Sequence, residues 1–101
     1  MASFIKVAKV ADVPEGSGKL VEAGGKQIAL FNAGGKFFAI DNTCKHRGGP
    51  LAEGELDGTT ITCPWHGWEY DITTGANLDD ASIKLGCYAV QADGDDILVE
   101  A

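Results

Sequence analysis
The sequence predicts an all-β protein of antiparallel sheets. Three observations carry that expectation: short apolar segments recur along the chain, glycine-rich turn signals separate them, and no amphipathic helical pattern of convincing length interrupts them. "KLVEA" (19–23) and "KQIALF" (26–31) flank Gly24-Gly25, a pair suited to a two-residue hairpin turn because both positions need positive φ. "KFFAI" (36–40) follows the turn "NAGG" (32–35). Further on, "TTITC" (59–63) follows Asp57-Gly58, and "WEYDI" (68–72) precedes the turn "TTG" (73–75). "GCYAVQA" (86–92) is expected to pair with "ILVEA" (97–101) across "DGDD" (93–96). Connections this short imply antiparallel meanders.

Size and composition agree. A chain of 101 residues with 45% hydrophobic and 23% charged residues fits one folded domain, just large enough to bury a core without disulfides. The N-terminus "MASFIKVAKVADVPEG" has no apolar run of signal-peptide length, and no segment approaches the roughly 18 residues a bilayer span needs, so a cytoplasmic protein with no membrane contact is expected. The net charge is −7 and uneven: residues 1–50 carry +3, residues 51–101 carry −10. Nucleic acid is therefore a poor partner, whereas a basic protein surface or plain solubility would suit such acidity.

The chemistry concentrates in one stretch. "CKHRGGPLAEGELDGTTITCPWHGWEYD", Cys44 to Asp71, holds two of the three cysteines and both histidines. An odd number of cysteines in a chain expected to keep its thiols reduced argues against a disulfide framework and points to metal ligation. Cys87, in "LGCYAV", has no histidine nearby and reads as a buried small hydrophobe. Cys44 stands two residues before His46, and Cys63 three before His66, so two arms each offer one thiolate and one imidazole. Both arms, "CKHRGGP" (44–50) and "CPWHGW" (63–68), fall in Gly- and Pro-rich loops between strands. A structural zinc site commonly groups two cysteines on one knuckle and two histidines on a helix. Here each arm mixes the types, which suits a two-iron cluster whose thiolates bind one iron and imidazoles the other.

"CKHRGGPL" together with "CPWHGWEYD" resembles the ligand loops of Rieske-type [2Fe-2S] proteins, in particular the soluble ferredoxins associated with oxygenases. The resemblance implies a small barrel or sandwich base, residues 1–42 and 80–101, with a cluster-binding subdomain inserted at about 43–79. It implies one [2Fe-2S] cluster held by Cys44 and Cys63 on the buried iron and by His46 and His66, through Nδ1, on the outer iron. Around it, Gly48, Gly49 and Gly67 would let backbone N–H groups approach the sulfides, and Pro50 and Pro64 would stiffen the loops. Trp65 and Trp68 would shield the cluster or rim a docking face, unless they are simply core. Lys45 and Arg47 would lie beside the histidine edge, as docking residues or solvated surface.

Two imidazoles in place of two thiolates remove negative charge, so Rieske potentials run from about −150 to +300 mV against about −400 mV for plant-type ferredoxins. High-potential respiratory members place a serine and a tyrosine after the second histidine, donating to the cluster, and bridge their loops with a disulfide. This chain keeps Tyr70 but has Trp68 at the serine position, and Gly49 and Trp65 where the bridging cysteines would stand. A potential near the bottom of the range is expected.

The function so implied is a soluble carrier of one electron, a monomer and not itself an enzyme. It would take that electron from an NAD(P)H-dependent flavoprotein reductase and pass it to a terminal, aromatic-ring dioxygenase-like oxygenase. No GxGxxG follows a strand, so nothing in the chain suggests a nicotinamide or flavin site of its own. The alternative is a Rieske subunit or domain of a larger oxidoreductase, such as an oxygenase or a nitrite reductase small subunit. A catalytic oxygenase needs a separate iron site of two histidines and a carboxylate, and the cluster claims both histidines present. A zinc-stabilised β domain is the more distant reading.

Overall fold
Gly24 and Gly25 take φ of 58° and 77° at the tip of a two-residue turn, the left-handed pair that matches the twist of two antiparallel strands. The computed structural model describes residues 4–44, 48–65 and 67–100. Among them ten strands follow in order: β1 (Phe4–Lys9), β2 (Gly18–Ala23), β3 (Lys26–Ala33), β4 (Lys36–Asp41), β5 (Glu55–Asp57), β6 (Thr60–Thr62), β7 (Glu69–Asp71), β8 (Cys87–Tyr88), β9 (Val90–Asp93) and β10 (Asp96–Glu100). They form three sheets in the orders β1-β10-β9, β2-β3-β4-β8 and β5-β6-β7. Every pairing between these strands is antiparallel. The all-β expectation holds, and the helical elements are single 3-10 turns at Val10–Asp12 and Leu51–Glu53.

Three details depart from the sequence reading. The segment 86–92 is not one strand: Cys87 and Tyr88 pair with β4, after which β9 pairs with β10 in another sheet. The chain changes sheets at Ala89, whose carbonyl accepts the N–H of Glu100 at 2.9 Å. β1 and β5 were not anticipated. β1 finds its partner only at the far end of the chain, where Phe4 opposes Glu100. Cys87 is exposed rather than buried, because β8 is the edge strand of its sheet.

The run "IALF" explains how the fold positions the site. Ile28 and Leu30 face one core, shared with Val13, Val21, Ile97 and Val99, while Ala29 and Phe31 face a second, shared with Leu51, Ile61, Tyr70 and Ile72. β3 is thus buried on both faces, which is why its apolar residues do not alternate with polar ones. β4 repeats the division, Ala39 facing the first core and Ile40 the second. Each large side chain so enclosed contributes about 1.5–3 kcal/mol. The second core is the one that contains Cys44 and Cys63.

Candidate metal centre
β4 leads into the first arm. Beyond it Thr43 bridges to Pro50, the Cys44 N–H donates to the Gly49 carbonyl at 3.0 Å, and the Gly48 N–H donates back to the Cys44 carbonyl at 2.9 Å. The two described ends of the arm are therefore bonded to each other, with a cysteine as its first residue. β6 leads into the second arm, where the Cys63 N–H donates to the Trp68 carbonyl at 2.7 Å before β7 begins.

These two loops bring the thiols together. Cys44 and Cys63 are each 2% exposed and share one buried cluster, close enough for one thiol to influence the other. From β7 the fully buried Tyr70 brings its Oη to 3.4 Å from Cys44 Sγ. Burial pushes the Cys63 thiol above its ordinary value; a backbone hydrogen bond at Trp65 opposes this, and neighbouring Cys44 adds to the rise. A protonated thiol is a poor ligand, so a metal must displace its proton, and the Trp65 backbone is placed to stabilise the thiolate that results.

Gly49 is where the loops touch most closely. A Cβ there would stand 2.6 Å from Cys63 Sγ and 3.2 Å from the Cβ and Cγ of Trp65. The absent side chain leaves room for that sulfur, and the Gly49–Trp65 pair faces across the gap that a disulfide would span. Trp65 is 50% exposed and so is not core, whereas Trp68 is half-buried and packs on the thiol-bearing cluster. Gly48, Pro64 and Gly67 are exposed around the rim. His46, His66, Lys45 and Arg47 lie outside the described residues, and among the described residues no group of three or more metal-type donors gathers.

The sequence reading passed over Asn42 and Asp41, buried and half-buried residues just ahead of Cys44. Asn42 Oδ1 accepts the Ala52 N–H at 2.9 Å. Asp41 accepts the Gly86 N–H at 2.8 Å and the Tyr88 hydroxyl at 2.5 Å. The available signal was a polar pair ending an apolar strand, which does not distinguish a brace from an ordinary loop.

Two thiols buried in one core beneath a tyrosine hydroxyl, on loops of an antiparallel frame, give this small β protein a pair of soft donors of the kind that bind iron–sulfur groups or zinc. The "Rieske [2Fe-2S] domain" family matches residues 3–89, and the chain belongs to that family. A 3-phenylpropionate/cinnamic acid dioxygenase ferredoxin subunit from Shigella flexneri serotype 5b (strain 8401) is 39% identical over 98 residues, spanning 95% of this chain and 92% of that one. Among solved structures, the ferredoxin of carbazole 1,9a-dioxygenase from Nocardioides aromaticivorans IC177 superposes with a TM-score of 0.88 at 28% identity, covering 96% of both chains. A chain from the complex of reduced oxygenase and oxidized ferredoxin in carbazole 1,9a-dioxygenase superposes with a TM-score of 0.87 at 30% identity, covering 96% of this chain and 92% of that one. Among the described residues no helix is long and apolar enough to cross a membrane.

Proposed function
We propose that this chain is the ferredoxin component of an oxygenase system: a one-electron carrier, itself not a catalyst, that receives its electron from an NAD(P)H-dependent flavoprotein reductase and delivers it to a terminal oxygenase of the aromatic-ring dioxygenase type. The observation that carries the reading is the buried Cys44–Cys63 pair with Tyr70 beside it, in a chain that matches dioxygenase ferredoxin subunits along nearly its whole length. A working place in the cytoplasm, as a monomer, accords with thiols kept reduced.

In this reading Cys44 and Cys63 hold one iron of a single [2Fe-2S] cluster, and His46 and His66 hold the other. Bound there, the cluster supplies one reversible electron-accepting level. The residues on hand fit it: two soft donors already adjacent, a sulfur pocket that a Cβ at Gly49 would close, and a hydroxyl aimed at one sulfur. Leu51, Ile61 and Ile72, all fully buried, keep water from the sulfurs. The Tyr70 hydroxyl, as donor to Cys44, favours the more negative state, and the Trp65 N–H does the same for Cys63. Exposed Trp65 offers an apolar patch beside the second arm. The division into a base and a cluster-binding subdomain of about residues 43–79 is part of the same reading.

The purified protein should be reddish-brown, bleach with dithionite, and contain two irons and two sulfides per chain by the stoichiometry of the cluster. It should then be reduced catalytically by a dioxygenase reductase with NAD(P)H, and reoxidised by a substrate-loaded oxygenase under air. A colourless protein with stoichiometric zinc would replace this reading with that of a zinc-stabilised β domain.

A further inference from the structure
We propose that Asn42 is a positioning residue for the thiol pair, acting by closing the first ligand loop at its base. The inference rests on the cluster reading above. Asn42 is 5% exposed and lies two residues before Cys44. It makes three bonds to two backbone segments, β3 and the 3-10 turn Leu51–Glu53. Its N–H donates to the Gln27 carbonyl of β3 at 3.1 Å, its carbonyl accepts the Leu51 N–H at 2.8 Å, and its Oδ1 accepts the Ala52 N–H at 2.9 Å.

The last bond is the one only a side chain can make. Ala52 sits inside the 3-10 turn Leu51–Glu53, where the first N–H groups have no acceptor within the turn. Pro50, facing Thr43 across the loop, has no N–H to offer the ladder. Asn42 therefore caps the turn from across the loop and sutures its start to its end. Leu51, fully buried in the core that holds Cys44, Cys63 and Tyr70, is fixed by the same residue. Moving the suture would move Cys44 relative to Cys63 and to the Tyr70 hydroxyl.

Asn42 is itself held. Next to it, Asp41 is bonded through its carboxylate to Gly86 and Tyr88, so the end of β4 is fastened from the β8 side. A second buried asparagine supplies the contrast. Asn32, 7% exposed, donates to the Val13 carbonyl at 2.9 Å and accepts the Gly35 N–H at 3.0 Å. It is a suture of the same kind near the other end of β3, with no bond to either ligand loop among the described residues.

The experiment compares Asn42→Ala, Asn42→Asp and Asn32→Ala in the iron-loaded full-length protein, reading visible circular dichroism, the EPR line shape of the reduced state, the midpoint potential and the rate of cluster loss to a chelator. Leaving the Ala52 N–H buried without an acceptor is expected to speed cluster loss about tenfold or more in Asn42→Ala and to alter both spectra. Asn42→Asp keeps the acceptor and should restore the spectra and the loss rate. Asn32→Ala should lower the melting temperature while leaving the site's spectra and potential as in the wild type. Failure of Asn42→Ala to load, with Asn42→Asp loading normally, supports the role equally. The proposal is overturned if Asn42→Ala matches the wild type, if Asn32→Ala moves the spectra as far, or if Asn42→Asp is as disturbed as Asn42→Ala, including neither loading. A wild-type protein without iron and sulfide would overturn the proposed function as well, a result distinct from any of these.

Discussion
The hydroxyl of Tyr70 lies 3.4 Å from Cys44 Sγ, in a core where both residues are buried. A donor at that place stabilises the more negative, reduced state, so its removal should make reduction harder. Tyr70→Phe keeps the ring and its packing and is expected to lower the midpoint potential by about 40 mV, the one-electron equivalent of about 1 kcal/mol of differential hydrogen bonding. A redox titration checks it, and an unchanged potential would leave Tyr70 a packing residue only.

The wild-type potential itself is expected below zero, toward the end of the Rieske range near about −150 mV. Trp68 puts an indole where the high-potential members have a hydroxyl, and Gly49 opposite Trp65 rules out a bridging disulfide. The same titration decides it; a clearly positive value would contradict the argument from missing donors.

Gly49→Ala places a methyl 2.6 Å from Cys63 Sγ with Trp65 closing the other side. Such overpacking costs about 1–3 kcal/mol. Iron and sulfide per purified chain should fall and chelators should strip the site faster, measured by visible absorbance. Full loading with wild-type kinetics would show that the loops separate more easily than their contacts imply.

Burial, then the hydrogen bond to Asp41 and the charge of that carboxylate, push the Tyr88 phenol from 10.0 up to about 12. The folded state thus binds this proton more tightly than the unfolded chain does. Its contribution to stability is complete below about pH 10 and drains away as pH rises toward about 12. Denaturant titrations across that window should show a steeper loss for the wild type than for Tyr88→Phe. Parallel curves would mean that the phenol ionises without consequence for folding.

Of the three cysteines, Cys87 is exposed while Cys44 and Cys63 are buried. A thiol reagent should therefore modify one sulfur per loaded molecule, and none in Cys87→Ser, with three becoming reactive when the wild type is unfolded without metal. Rapid modification of a second thiol in the loaded wild type would argue against both buried cysteines being ligands.

How much of this was legible beforehand follows the range of the interactions involved. Gly24-Gly25 and the turn at 32–35 marked their hairpins because turn chemistry is local: a residue pair able to take positive φ suffices. Cys-x-His and Cys-x-x-His marked the candidate site because donor type and spacing are properties of the chain alone. Two cysteines and two histidines, one of each on either glycine-rich loop, already selected the family that the comparisons bear out.

What the sequence left open depends on partners far away in the chain. β1 is a strand because β10, at the opposite terminus, offers it a ladder, and no local pattern announces that. Cys87 looked like core because its neighbours are apolar, yet β8 ends up at a sheet edge, where one flank faces water. Only the folded chain puts the carboxamide of Asn42 on the far side of the loop it opens and the hydroxyl of Tyr70 against Cys44. Composition and spacing determine which atoms are available to hold a metal group; the sheets, by long-range pairing and burial, determine which of them meet.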